Sequence, residues 1–401
     1  IDVLSASFDD DKIAWYENDG NEGFTEHTIS TTADGARSVF AIDLDGDGDI
    51  DVLSASGMDD KIAWYEKDSS RQGFTEHTIS TAADNAYSVF AIDLDGDGDI
   101  DVLSASFNDN KIAWYENDGT EGFTEHTIST AATATISVFA IDLDGDGDID
   151  VLSASYADDT IAWYENDGTE GFTEHAISIV TAGGGGAFSV FAIDLDGDGD
   201  IDVLSASYWD DAIAWFENDE LTFYDQPAHT EHSIITGANG AGSVFAIDLD
   251  GDGDIDVLSA SYADDTIAWY ENDGSQSFTE HSITTGADGA ASVFAIDVDG
   301  DGDIDVLSAS SVDNKIAWYE NDGSEGFTKH EISTAASGAY SVFAIDLDKD
   351  GDIDVLSASI SDDKIAWYEN DGNEGFTEHS ITTGANGAVS VFAIDLDGDG
   401  D

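Results

Sequence analysis

The residues best suited to chemistry in this chain are aspartates set two apart. Asp43-Leu44-Asp45-Gly46-Asp47-Gly48-Asp49-Ile50-Asp51 packs five carboxylates into nine residues, and such a turn repels itself unless something positive sits inside it. Positions 1, 3 and 5 point their carboxylates inward and the glycines allow a sharp bend. Position 7 can offer its backbone carbonyl, and position 9 returns a carboxylate from the start of the next element. This is an oxygen cage for a hard cation. Many oxygens at flexible distances suit calcium better than magnesium, which keeps its water. Position 12 is Ser54 where an EF-hand needs Glu, and no helices flank the loop, so the EF-hand reading fails despite the similar opening.

The loop recurs. After the first come Asp93, Asp95, Asp97, Asp99 and Asp101, then Asp142, Asp144, Asp146, Asp148 and Asp150, then Asp194, Asp196, Asp198, Asp200 and Asp202. These are followed by Asp248, Asp250, Asp252, Asp254 and Asp256, by Asp297, Asp299, Asp301, Asp303 and Asp305, and by Asp346, Asp348, Asp350, Asp352 and Asp354. The eighth set, Asp395, Asp397, Asp399 and Asp401, ends the chain, and its ninth-position carboxylate is expected from Asp2. One ion would then clamp both termini. In the seventh loop Lys349 replaces the first glycine, but position 4 gives no side-chain ligand, so binding should survive there. The expectation is about eight calcium ions, one per loop.

Elements of matching period must position these loops. The intervals between successive loops run from 49 to 54 residues. Each unit holds four short segments rich in β-branched and aromatic residues, as in Ser38–Ile42, Asp51–Ser56, Lys61–Glu66 and Phe74–Ile79, here called strands A to D. No segment shows apolar residues at helical spacing. Four strands in about 50 residues, eight times over, predict an all-β, eight-bladed β-propeller of four-stranded antiparallel blades. Residues 1–401 form a single domain in this reading. The first strand is a strand B and the last a strand A, so one blade is shared between 1–37 and 390–401, and pairing of C-terminal strand A with N-terminal strand B closes the ring. The Asn-Asp-Gly after strand C, as at 117–119, is read as a tight C–D turn and not as a ligand.

Composition bounds the partners. A formal net charge of −79, from 89 acidic against 10 basic residues, excludes the electrostatic footprint of a nucleic-acid or anionic-membrane binder. With 41% hydrophobic residues the chain has apolar surface enough to fold in spite of that charge. There is no cysteine, hence no disulfide, and no apolar run of the length that membrane insertion needs. The chain is expected to be a processed protein or one propeller of a larger surface protein.

The pattern D-x-D-G-D-G-x-x-D between two strands, followed by I-A-W-Y-E-N-D-G, resembles the VCBS-type repeats of the FG-GAP superfamily, and more distantly the propellers of integrin α-subunits. The literal Phe-Gly and Gly-Ala-Pro segments are replaced by Val39-Phe40-Ala41 and Ser54-Ala55-Ser56, which is closer to the bacterial branch. That resemblance implies secretion or a cell-surface location, calcium, and binding or adhesion, with no particular ligand.

Comparison of the units with one another separates scaffold from variable surface. The A–B loops barely differ. The B–C turn varies through Phe8, Gly57-Met58, Phe107, Tyr156, Tyr208-Trp209, Tyr262, Ser311-Val312 and Ile360, and the residue before strand A through Arg37, Tyr87, Ile136, Phe188, Gly242, Ala291, Tyr340 and Val389. Both sets fall on the face opposite the loops, and Phe8, Phe107, Tyr156, Tyr208, Trp209 and Tyr262 are its candidate ligand-binding residues. The tryptophan of each strand C is read as inter-blade core, and the histidines of strand D, one per blade, as too far apart to share a metal. Near-identical blades offer no unique catalytic constellation, so the chain is expected not to be an enzyme. The insertion Glu220–Thr230, with Phe223, Tyr224 and His229, would be the only address for one. Three functions follow: a calcium-stiffened extracellular structural or adhesive module, a propeller lectin binding glycans on the variable face, and a self-associating filament subunit.

Overall fold

In a computed structural model of the chain, residues 1–20, 23–67, 73–169, 171–179, 186–218 and 229–398 are described. Asp399, Asp401, Phe223 and Tyr224 lie outside them. Strands form where alternating apolar and β-branched residues run between Gly- and Asp-rich turns, and they assemble into eight four-stranded antiparallel sheets. In the sheet containing the first complete loop the order is Ala36–Ile42, Asp51–Ser56, Lys61–Lys67 and Phe74–Ser80, or A to D. Strands A of neighbouring blades touch one another, so A is innermost and D outermost. Phe40, Phe90, Phe139 and Phe191 form a chain of neighbouring rings on the A strands, with centroids 5.3 to 6.0 Å apart.

The ring closes as its phase predicts. Strand Ala388–Ile394 pairs with Asp2–Ser7 in the register Asp2↔Ile394 through Ala6↔Ser390. The strand that a filament would exchange between chains is thus paired within its own chain.

Every strand B, Asp-Val-Leu-Ser-Ala-Ser, is buried at all six positions. Tryptophans mortar adjacent blades. Trp64 packs with Leu53 and Ile62 of its own blade and with Val102 and Tyr115 of the next, meeting Phe123 edge-on at 6.2 Å. Equivalent contacts recur around the ring up to Trp367 with Phe24. At the insertion, His229 takes the place of that phenylalanine against Trp163. On the other ring face each tryptophan carries the strand D histidine, as Trp64 does His77 at 4.4 Å.

Strand A contains a device that sequence did not reveal. Ala36 pairs with Ser56 and Ser38 with Ala55, leaving Arg37 as the extra residue of a β-bulge. The same skip falls at Tyr87, Ile136, Phe188, Gly242, Ala291, Tyr340 and Val389. A bulge leaves its residue outside the ladder and re-aims the side chain, which is why this position varies between blades while its neighbours do not.

Truncating Trp318, which is fully buried, to alanine should destabilise the fold by about 3–5 kcal/mol through lost contact and cavity formation. Trp209→Ala, at a side chain 57% exposed, should stay within about 0.5 kcal/mol. Denaturant unfolding of both variants checks the assignment of core against surface.

Candidate metal sites and the aromatic mouth

Each Asp-rich loop runs from the end of strand A to the start of strand B. In the first, Asp43 Oδ2 accepts from the Gly48 amide at 3.1 Å, Asp45 Oδ1 from Asp47 at 3.0 Å, and Asp47 Oδ1 from Asp49 at 2.8 Å. Gly46 and Gly48 stand at φ 73° and 97° with open space where a Cβ would be. Backbone conformation, not crowding, therefore requires glycine there. Lys349 adopts the same left-handed conformation at φ 64°, and its loop keeps the same bonds, including Gly351 to Asp346 at 3.2 Å. The Lys349 exception therefore leaves the loop's frame intact.

Position 9 is the anchor. Asp51 is buried, with Oδ2 accepting from the Leu44 amide at 3.1 Å and Oδ1 from the Lys67 amide at 2.8 Å. Positions 1, 3 and 9 come together: oxygens of Asp43, Asp45 and Asp51 lie within 4.8 Å of one another, as do those of Asp93, Asp95 and Asp101. In the third loop the group is Asp142, Asp144 and Asp146, and at the junction of the termini it is Asp2, Asp395 and Asp397. Position 7 points elsewhere. The carboxylates of Asp99, Asp148, Asp254, Asp303 and Asp352 lie against the C–D turn glycines 119, 168, 274, 323 and 372, close enough that a Cβ there would clash. Their side chains are thereby turned toward the C–D turn, and position 7 can still offer its backbone carbonyl to the loop.

The cluster is electrostatically unfavourable as bare anions. Burial pushes Asp51, Asp150, Asp202 and Asp354 up to about 7 and Asp101, Asp256 and Asp305 up to about 6, with backbone hydrogen bonds opposing. Asp144 is pushed up to about 6 by burial first and by neighbouring carboxylates next, and Asp45 and Asp95 shift the same way for the same reasons. Asp43, Asp142 and Asp346 each bury an Oδ1 with no hydrogen-bond partner. Buried carboxylate oxygens without donors fit a hard cation.

Two neighbouring residue types do more than the sequence suggested. The Asn of the C–D turn is more than a turn former. Asn117 Nδ2 donates to the Leu44 carbonyl of the adjacent blade's loop at 3.1 Å and to Ile100 at 3.0 Å. Equivalent staples join Asn18 to Leu347, Asn166 to Leu94 and Asn321 to Leu249, and Lys67 Nζ reaches Leu396 at 2.6 Å where one blade lacks the Asn. Positive φ in this turn is carried by Gly119 of that triplet and by Glu121. The histidines, too far apart to share a metal with one another, do find carboxylates. His330 contacts Glu320 at 2.7 Å, and Glu374 of the next blade's turn completes a group of three potential ligands.

The face opposite the loops gathers all six expected aromatics. Phe107 lies 6.2 Å from Tyr87 and 6.5 Å from Tyr156, and the Trp209 indole donates to the Tyr156 hydroxyl. Tyr208 contacts Trp209 at 4.9 Å, Phe188 at 6.1 Å and Tyr262 at 6.5 Å. Phe8 joins the arc through Arg37, whose guanidinium stands 4.6 Å from the ring centres of both Phe8 and Tyr87. Arg37, Tyr87 and Phe188 were noted only as variable; the bulge that aims them is visible in strand pairing alone.

The FG-GAP-like repeat matches residues 1–54, 43–104, 93–153, 142–205, 194–259, 248–308, 297–357 and 346–401, which together span the whole chain. This chain belongs to the FG-GAP-like repeat family. No curated protein matches it. Among solved structures, an Agrocybe aegerita lectin specific for non-reducing terminal N-acetylglucosamine is 16% identical, with 84% of this chain and 91% of that chain covered and a TM-score of 0.54. A candidate 6-phosphogluconolactonase from Bacteroides fragilis is 13% identical with 98% of each chain covered and a TM-score of 0.56. A periplasmic gluconolactonase from Pseudomonas aeruginosa is 10% identical, covering 98% of this chain and 99% of that one, with a TM-score of 0.55. At such identities the likeness is one of fold. It nevertheless corrects the expectation that this is no enzyme: propellers of this shape carry lactonase names, so near-identical blades are no ground for excluding catalysis.

Lys349→Gly should raise stability by about 1 kcal/mol, because a side chain leaves a left-handed backbone position. Equilibrium unfolding in denaturant measures it, and an unchanged or lower midpoint contradicts the reading of that loop.

Proposed function

We propose that this FG-GAP-like propeller is a calcium-binding extracellular module with a structural or adhesive role, binding about eight ions, one per A–B loop. The observation that carries the reading is the convergence of carboxylate oxygens from positions 1, 3 and 9 within 4.8 Å, as in Asp43, Asp45 and Asp51, where Asp43 also buries an oxygen without a hydrogen-bond partner. Asp43, Asp45 and Asp51 and their counterparts would hold the ion with backbone oxygens of the loop. Its contribution is charge neutralisation: eight divalent ions take the formal −79 to −63. Extracellular calcium modules work at dissociation constants of about 10⁻⁴–10⁻³ M, the range expected of these loops in this reading.

The opposite face is the partner surface in this reading, for an extracellular protein, a glycan or a second copy. A specific observation favours the glycan: the aromatic arc from Phe8 to Tyr262 provides flat ring faces at a ring mouth. The similarity in fold to a lectin adds modest weight. A glycan array with wild type and with a Tyr208→Ala, Trp209→Ala double variant tests it, and hits that ignore the double variant remove the arc from the account.

Chelation tests the metal. Each site should stabilise the native state by about 2.7 kcal/mol at calcium one hundred times its Kd, so EDTA should lower the melting temperature strongly and added calcium restore it. Asp305→Asn should reduce calorimetric stoichiometry by one. A melting temperature indifferent to EDTA ends the metal reading.

A further inference from the structure

Among the described residues Arg37 is the one cation at the aromatic mouth, and none of them accepts from its donors. Its guanidinium carbon stands 4.6 Å from the ring centres of both Phe8 of the preceding blade and Tyr87 of the following one. Aromatic rings thus flank it on two sides, and its fork carries five N–H groups. No hydrogen bond or ion pair engages them among the described residues, and Nε is buried without a partner. In a chain with 89 acidic residues, an arginine so placed has been kept from the carboxylates around it.

Room for it has been made in its own blade. The B–C turn residue facing Arg37 is Gly57, and a Cβ there would lie 2.5 Å from Asn85 Oδ1 and 2.8 Å from Arg37 Nε. The seven other blades carry Phe8, Phe107, Tyr156, Tyr208, Tyr262, Ser311 and Ile360 at that turn position. The arginine and the glycine thus occur together, once, in a molecule otherwise built eight times over. Beside them opens a cavity of ≈ 340 Å³ lined by Phe8, Asp9, Arg37, Tyr87, Tyr340 and Ile360, among others. That volume is at the low end for small-molecule sites and suits one ring-sized unit.

We propose that this cavity binds a carboxylate-bearing monosaccharide, of the hexuronate class, as the terminal or side unit of an acidic glycan. The inference rests on the reading of the aromatic face as the partner surface. The edge of the guanidinium takes the carboxylate through paired N–H donors, the aromatic walls cover the apolar C–H face of the sugar, and Asp9 accepts from ring hydroxyls. An inorganic anion would leave the walls unused, and a neutral sugar would leave the fork unmatched. The overall negative charge does not forbid it, because at physiological ionic strength fields from charges beyond about 8 Å are largely screened, and the calcium loops lie on the other face.

The test uses the calcium-saturated full chain. Isothermal calorimetry with sodium glucuronate and with glucose should show glucuronate binding about tenfold or more tighter. Arg37→Gln should abolish that difference. Gly57→Phe, which restores the ring found at most other blades, should weaken glucuronate by a similar factor, and melting temperatures in calcium verify that both variants fold. Glucuronate binding that survives Arg37→Gln, or no glucuronate binding by wild type, overturns the proposal. Equal binding of glucose and glucuronate also overturns it while leaving the aromatic face as a glycan surface; no sugar bound here and no hit on the array removes both.

Discussion

Everything in each blade converges on one buried carboxylate, the aspartate that opens strand B. In the blade of Asp51, one oxygen holds the amide of Leu44 inside the loop and the other holds the amide of Lys67 at the end of strand C. The side chain fixes where the loop turns, where strand B starts and where strand C stops, and it is also the innermost member of the acidic cluster. Burying it disfavours its charge and pushes its pKa up to about 7, and two backbone donors offset only part of that penalty. The stability of the scaffold and the proposed need for a cation are therefore properties of the same atoms.

The blades are then bound to each other at three depths. Phenylalanines of strand A neighbour one another near the axis, tryptophans of strand C fill the middle, and the Asn of the C–D turn, in every blade but one, reaches the loop of the blade before it. Because Asn117 donates to the carbonyl of Leu44, one residue along from Asp43, the geometry of one loop depends on its neighbour's turn. At the seam the same bond runs from Lys67 to Leu396, so chain termini and interior junctions are joined by the same means. Additive, nearest-neighbour stability is the behaviour expected of such repeats, with ring closure as the exception.

Much of this was legible in the residues. The period, the four strands per unit, the phase of the termini and the acidic loops all follow from spacing, because strand and turn chemistry are local. Core burial of the tryptophans was legible for the same reason. What local reading missed depends on partners distant in sequence. The bulge at Arg37 exists only as a skip in pairing with strand B, and Asn117 looked like a turn residue because its acceptor lies 73 residues away. The expectation that repetition precludes catalysis failed differently: it treated eight copies of a frame as eight copies of a surface, and Arg37 with Gly57 is an example of a feature present once.

The bulge explains how such a frame stays uniform while its mouth does not. A residue that pairs with no strand can be replaced by arginine, tyrosine, glycine or valine without disturbing a single ladder bond, and this chain carries all four at that position. Eight such positions stand around one opening, each on a separate sheet. A lineage that duplicates blades thereby acquires a set of independently replaceable letters facing a common space, and new recognition can be written there without renegotiating the architecture beneath.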